Sequence, residues 1–79
     1  MIKATALIVD DERDIRELLS LALARMGLSP QAAGTLLEAK ALLGTQRFDV
    51  CLTDMRLPDG NGLELIEFVS QHHPSLPIA

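Results

Sequence analysis

Residues 50–54 read Val50-Cys51-Leu52-Thr53-Asp54, a short apolar run that ends in a carboxylate. A second stretch of the same form, Ala6-Leu7-Ile8-Val9-Asp10-Asp11, lies near the N-terminus. Short apolar runs with β-branched residues are typical of strands that are covered on both faces of a parallel sheet. If the two strands are neighbours, their three carboxylates meet at one edge of that sheet, where ligands of such sheets gather.

A cluster of carboxylates needs a cation. Two unit charges about 4 Å apart repel each other by roughly 4 kcal/mol at an effective dielectric constant of about 20. Acidic oxygens without a thiolate or a well-placed histidine favour a hard ion such as Mg²⁺, which commonly shares its ligand shell with phosphate oxygens. Asp10, Asp11 and Asp54 are therefore candidate Mg²⁺ ligands, and a phosphoryl group is the expected partner of the site.

The composition limits the protein to a small folded domain. The chain has 79 residues, of which 48% are hydrophobic and 23% are charged, and this balance excludes a disordered chain. The formal net charge is −4, and the Lys and Arg residues are scattered along the sequence. We therefore expect no direct contact between this segment and nucleic acid.

Neither the cysteine nor the N-terminus indicates an oxidising compartment or a membrane. The single cysteine, Cys51, lies inside an apolar run, so it is expected to be a buried hydrophobe rather than a redox switch. The N-terminal apolar stretch is too short for a signal peptide or a membrane span, and a cytoplasmic location is the expectation. The pair His72-His73 is expected to be exposed at a helix end.

Strands and helices alternate along the chain. The predicted strands are at 4–9, 28–33, 48–53 and 76–79, and the predicted helices are at 14–26, 35–44 and 63–71. Right-handed crossovers then produce a parallel sheet with helices on both faces. Pro30 lacks a backbone donor, so the second strand is predicted at the sheet edge. Thr35-Leu36-Leu37-Glu38 has the form of a capping box for the second helix.

The first two helices carry apolar stripes, which favour packing against the sheet over a groove for a partner. In the first helix the stripe consists of Ile15, Leu18, Leu19, Ala22, Leu23 and Met26. In the second helix it consists of Leu36, Leu37, Ala39, Ala41, Leu42 and Leu43.

Two motifs resemble the receiver domain of bacterial two-component response regulators. They are Leu7-Ile8-Val9-Asp10-Asp11-Glu12 and Asp54-Met55-Arg56-Leu57-Pro58-Asp59-Gly60-Asn61-Gly62. The resemblance covers essentially the whole chain and is greatest to receivers of sigma-54-dependent transcriptional activators. It implies a flavodoxin-like (CheY-like) α/β fold with the strand order 2-1-3-4-5.

The resemblance also implies roles for individual residues. Asp54 is the implied phosphoacceptor, and Asp10, Asp11 and Asp54 are implied to hold Mg²⁺ together with the backbone carbonyl of Arg56. A histidine kinase is the implied phosphodonor. The chain is thus expected to be a phosphoacceptor switch with self-catalysed phosphotransfer rather than a conventional enzyme.

The loop after Asp54 is expected to be shaped by Pro58, Gly60 and Gly62, with glycines adopting backbone angles that other residues resist. A complete receiver also has a Ser or Thr at the end of its fourth strand and a Lys at the end of its fifth strand. Residues 1–79 contain neither position, so the chain is interpreted as the N-terminal part of a receiver with an incomplete sheet. Apolar surface left uncovered on such a sheet predicts that the isolated chain self-associates or is only partly folded.

Two other functions are weighed against the phosphorelay. One is a scaffold or dimerisation fragment that keeps the fold without accepting phosphate. The other is a Mg²⁺-dependent phosphatase of the haloacid dehalogenase type, which forms an aspartyl phosphate but uses Asp-x-Asp after its first strand. Asp10-Asp11-Glu12 departs from that spacing.

Overall fold

A computed structural model describes residues 3–79 as alternating strands and helices around a small parallel sheet. The strands are β1 (Thr5–Val9), β2 (Ser29–Ala33), β3 (Val50–Thr53), β4 (Arg56–Leu57) and β5 (Gly60–Asn61). The helices are α1 (Arg13–Arg25), α2 (Leu36–Thr45) and α3 (Gly62–His72). The predicted α/β class is confirmed, while the short strands β4 and β5 form a hairpin in a stretch that was expected to be only a turn.

The main sheet has the order β2-β1-β3 with all strands parallel. Ile8, in the centre, lies opposite Ala32 of β2 and Leu52 of β3. The amide of Ser29 donates to the carbonyl of Ala4 over 2.8 Å. Because alternate amides of a strand face opposite sides, the nitrogen of Pro30 faces away from β1. Its missing donor therefore leaves no gap in the ladder, and the predicted edge position of this strand is confirmed.

The predicted fourth strand is present only as an isolated parallel bridge between Cys51 and Ile78. Around this bridge the amide of Cys51 donates to Pro77 over 2.9 Å, and the amide of Ala79 donates to Cys51 over 3.0 Å. Thr53 donates to the carbonyl of Ala79 over 2.8 Å. Residues 77–79 thus lie beside β3, on the side away from β1, but too few residues pair to form a full strand.

Helices cover both faces of the sheet, as expected. Side chains alternate along β1, so Leu7 and Val9 face one side while Ala6 and Ile8 face the other. The first side packs against α2 and α3 in the larger core, which also contains Leu36, Ala39, Leu43, Leu65 and Val69. The second side packs against α1 through Leu23, with Leu19 partly buried.

The apolar stripes of α1 and α2 pack against the sheet as predicted, but only part of each stripe is buried. Leu23 is the buried member of the α1 stripe, whereas Leu18 is 62% exposed and Met26 is 74% exposed. In α2, Leu37 is 73% exposed. Among the described residues α1 covers its sheet face alone, so only the side chains that point straight at the strands are covered.

The helix ends are stabilised by local hydrogen bonds. Gly27 adopts φ 88° after α1, and the amide of Leu28 donates to the carbonyl of Leu23 over 3.0 Å. This is a Schellman motif, which a glycine favours. At the start of α2, Thr35 Oγ1 accepts from the amide of Glu38 over 3.1 Å. The carboxylate of Glu38 accepts from Gly34 instead of Thr35, over 2.8 Å, so the predicted capping box is present but displaced by one residue.

The remaining expectations concern Cys51, the histidines and the membrane. Cys51 is fully buried, and its burial raises the pKa of the thiol to about 12, which fits an unreactive core residue. His72 is exposed as predicted, but His73 is half-buried. Within residues 3–79, none of the helices combines the length and apolarity needed to span a membrane.

Candidate metal and phosphoacceptor site

Three carboxylates lie together at the C-terminal edge of the sheet. One side-chain oxygen from each of Asp10, Asp11 and Asp54 lies within 4.8 Å of one from each of the others. Asp10 and Asp54 are half-buried, and Asp11 is exposed. The candidate residues of the two sequence motifs, more than forty positions apart, therefore form one group.

The strand ladder places the backbone of this site. The amide of Asp54 donates to the carbonyl of Val9 over 2.8 Å, and the amide of Asp10 donates to Ala33 over 3.1 Å. Each of these two aspartates thus continues the hydrogen bonding one residue beyond its strand. Asp10 Oδ1 also accepts from the amide of Glu12 over 2.9 Å, which orients the carboxylate where the chain turns into α1.

Arg16 supports the same edge, although the sequence analysis did not single it out. Its guanidinium Nη1 donates to the backbone carbonyl of Asp10 over 2.8 Å. A Cβ atom at Gly34 would lie 3.0 Å from the same Nη1, so the glycine leaves room for the guanidinium. The contact joins α1 to the end of β1. No local pattern in the sequence distinguishes Arg16 from the other charged residues of the helix.

The loop that follows Asp54 is a compact hairpin closed at its base. Arg56 lies opposite Asn61, and Leu57 lies opposite Gly60, with Pro58 in the turn. The amide of Gly62 donates to the carbonyl of Met55 over 3.0 Å. The backbone of Arg56 is therefore held between Asp54 and the start of α3.

The glycines of this hairpin are needed for space rather than for unusual backbone angles. Within residues 3–79 a positive φ occurs only at Gly27, so the expected reason for Gly60 and Gly62 was wrong. A Cβ atom at Gly62 would lie 2.7 Å from the backbone oxygen of Asp54. At Gly60 it would lie 2.7 Å from Cδ2 of Leu36, a side-chain atom that can move more easily.

Asp59 connects the tip of the hairpin to helix α2, a contact that the sequence analysis missed. Its Oδ1 accepts from the amide of Leu36 over 2.7 Å, and its Oδ2 accepts from the amide of Leu37 over 2.9 Å. These two hydrogen bonds lower the pKa of the Asp59 carboxyl. In the sequence, Pro58-Asp59-Gly60 has the composition of an ordinary turn, and nothing nearby indicates a partner 22 residues away.

A cavity of about 140 Å³ opens beside the carboxylates. It is lined by Val9, Asp10, Leu19, Leu52, Thr53, Asp54 and Ala79. Asp10 and Asp54 contribute the acidic side chains of its wall, and the other lining residues just named are largely apolar. The donor set of the site is thus composed of oxygen atoms, which suits Mg²⁺ better than a soft metal.

The family model described as the response regulator receiver domain matches residues 6–79. The chain belongs to this family. The fold and the strand order of the described residues agree with the CheY-like class, because the receiver CheY4 of Vibrio cholerae superposes with a TM-score of 0.93 and 32% sequence identity. That comparison covers 98% of this chain and 66% of CheY4.

Other receivers add detail to the comparison. The response regulator protein PilR of Pseudomonas aeruginosa is 54% identical over 79 residues, which are 100% of this chain and 18% of PilR. The predicted resemblance to receivers of sigma-54-dependent activators is confirmed, and this receiver chain spans under a fifth of PilR. The regulator TrrA of Thermotoga maritima, solved in complex with Mg²⁺ and BeF, has a TM-score of 0.91 and 29% identity over 95% of this chain and 65% of its own.

Proposed function

We propose that this receiver accepts a phosphoryl group on Asp54 from a histidine kinase and thereby regulates a transcription-control output. The observation that carries the proposal is the grouping of Asp10, Asp11 and Asp54 within 4.8 Å at the end of β1 and β3. Asp54 is the proposed phosphoacceptor. Asp10 and Asp11 are the proposed ligands of Mg²⁺, together with Asp54 and the backbone carbonyl of Arg56.

The donor set supports the magnesium part of the proposal. The three carboxylate oxygens come from different points of the chain, and the sheet holds two of them at fixed positions, which suits an ion bound by a few carboxylates and waters. When bound, Mg²⁺ would neutralise charge on the transferred phosphoryl group. Without a cation the three carboxylates repel one another. Because Asp11 is the exposed member of the group, we expect bound Mg²⁺ to fix the position of its side chain.

Phosphoryl transfer to Asp54 requires few chemical steps of the chain itself. An oxygen of Asp54 forms a bond to phosphorus, the bond between phosphorus and the imidazole nitrogen of the kinase breaks, and the released imidazole takes up a proton. The backbone hydrogen bond from Asp54 to Val9 holds the acceptor in place during this step. Positioning of the acceptor is what phosphoryl transfer mainly requires of a protein.

The output is proposed to be a change in protein contacts. A phosphoryl group can act as a switch only if it stabilises one conformation over another. The net charge of −4 and the scattered basic residues support an output through protein contacts rather than direct nucleic-acid binding by this segment. The cytoplasmic location stays a prediction.

Intact-mass spectrometry after incubation with acetyl phosphate and Mg²⁺ tests the proposal. We expect the wild-type chain to gain one phosphoryl group and Asp54→Asn to gain none, because the amide is a poor nucleophile. Asp11→Asn should accept phosphate but need more Mg²⁺. Covalent phosphate on Asp54→Asn would remove the site assignment. A wild-type chain that folds but gains no phosphate would instead favour the phosphorylation-incompetent scaffold.

A further inference from the structure

We propose that Asp59 is a positioning residue for the metal site, because its carboxylate fastens the hairpin that carries the Arg56 carbonyl to helix α2. The inference rests on the proposed function, since it concerns the same Mg²⁺ site. Asp59 is not one of the three carboxylates that lie together. Its effect would therefore pass through the backbone of the hairpin rather than through a contact with the ion.

The contact is short and uses both oxygens of the carboxylate. Oδ1 lies 2.7 Å from the amide nitrogen of Leu36, and Oδ2 lies 2.9 Å from that of Leu37. These are the first two amides of α2, which have no acceptor within the helix. A negative charge at this end also interacts favourably with the helix dipole. Two bonds from one planar group fix its orientation as well as its distance.

Because the hairpin is small, an attachment at its tip restrains the whole loop. Each of its strands has two residues, and an isolated two-stranded hairpin is marginal in water. The base is closed by the hydrogen bond between Gly62 and Met55, and Leu57 is packed in the core at 8% exposure. Asn61 Oδ1 accepts from the amide of Glu64 over 2.9 Å, and Asp59 provides the attachment at the tip. Losing it would leave the hairpin attached only near its base and through Leu57, so the Arg56 carbonyl would be held less firmly.

Thr35 provides a matched control at the same helix end. Its Oγ1 accepts from the amide of Glu38 over 3.1 Å, so it also satisfies a free amide of α2. Thr35 precedes the helix directly and does not belong to the hairpin. Removing either side chain weakens the start of α2, but only removal of the Asp59 carboxylate releases the hairpin.

Binding of Mg²⁺ alone, followed by NMR amide shifts of the 79-residue chain, separates the two roles. The variants are Asp59→Ala, Asp59→Asn and Thr35→Ala, each measured below its own melting temperature as determined by circular dichroism. We expect both alanine variants to melt earlier. The Mg²⁺ dissociation constant should rise about 10-fold in Asp59→Ala, the lower end for outer groups that orient metal ligands. It should change less than about twofold in Thr35→Ala.

Asp59→Asn keeps one acceptor oxygen, so its Mg²⁺ affinity should lie between that of the wild type and that of Asp59→Ala. If Asp59→Ala does not fold, Asp59→Asn takes its place in the comparison. An affinity of the Asp59 variants equal to that of Thr35→Ala, with normal binding by the wild type, would overturn the positioning role and leave the proposed function standing. A wild-type chain without Mg²⁺-dependent shifts around Asp10, Asp11 and Asp54 would overturn both.

Discussion

Single residues hold this site in two different ways. Asp59 acts through the charge and hydrogen bonds of its side chain, which reach helix α2. Gly62 acts through the absence of a side chain, because the backbone of Asp54 and Met55 occupies the space that a Cβ would need. Both residues lie in the segment after the proposed phosphoacceptor. Substitutions at Asp59 therefore test charge and hydrogen bonding, whereas substitutions at Gly62 test steric exclusion.

At Gly62, alanine is expected to destabilise the fold by about 1–3 kcal/mol, the range for overpacking. The added Cβ would lie 2.7 Å from the Asp54 oxygen and 3.1 Å from Cα of Met55, which are backbone atoms. Gly44→Ala is the matched control, because nothing lies within 4 Å of a Cβ there. It should leave stability unchanged or raise it by about 0.5–1 kcal/mol in helix α2. Urea unfolding measures both, and equal stability of the two variants would contradict the argument.

At Asp59, the prediction concerns how the stability of the fold changes at acidic pH. The folded state lowers the pKa of this carboxyl because the amides of Leu36 and Leu37 stabilise the ionised form. A lowered folded pKa contributes stability that is present above the unfolded value, about 3.9, and is lost as the pH falls through the folded value. The urea midpoint of the wild type should therefore exceed that of Asp59→Ala by a constant amount at pH 5–7. That difference should shrink below about pH 4, and a difference independent of pH would refute the assignment.

In helix α1, the local sequence sets where the helix ends, whereas the surrounding segments set which of its side chains are buried. The chain reverses after the helix because Gly27 adopts φ 88° and two backbone bonds close the last turn. These features are local, and the sequence pattern already predicted a helix that ends at residue 26. Which side of α1 is buried depends on the sheet, and only Leu23 is buried within the helix.

Gly27→Ala should cost about 1–2 kcal/mol, the penalty for placing an L-residue in the left-handed region. Space is not the cause, because nothing lies within 4 Å of a Cβ at this position. Gly44→Ala removes a glycine from the unfolded chain in the same way, so comparing the two variants cancels that common term. Thermal unfolding of both chains gives the difference. A Gly27→Ala chain as stable as Gly44→Ala would show that the turn can relax.

At the scale of the whole molecule, the two faces of the sheet are covered unequally. Two helices and the larger core cover one face, while α1 covers the other within the described residues. Leu18 in α1 and Met26 just after its last residue remain 62% and 74% exposed. Exposed apolar side chains of this size favour association.

The 79-residue chain is therefore expected to self-associate as its concentration rises, and sedimentation velocity measures this directly. The double substitution Leu18→Gln with Met26→Gln should weaken the association, because it removes apolar area from α1 and from the residue that follows it. Leu37→Gln is the control, since Leu37 is 73% exposed on α2 at the other face. A compact monomer that melts cooperatively at all concentrations would refute the expectation.

The sequence by itself determined the order of the three main strands and three helices, the parallel sheet and the family. Strand and helix patterns repeat over a few residues, and the acidic motifs follow β1 and β3 directly, so these inferences needed no long-range information. The edge position of β2 followed in the same way from Pro30, whose missing donor is a property of the residue itself. The meeting of Asp10, Asp11 and Asp54 required only that the two strands be neighbours.

Only the tertiary structure decided the contacts that depend on where distant segments pass one another. The bond from Asp59 to the start of α2 spans 22 and 23 residues, and its turn-like sequence has no signal for it. The need for glycine at position 62 arises from the approach of the Asp54 backbone. The exposure of Leu18 and Met26 depends on which segments lie over α1. A helical stripe specifies a face, whereas its burial is a property of the neighbours that pack against it.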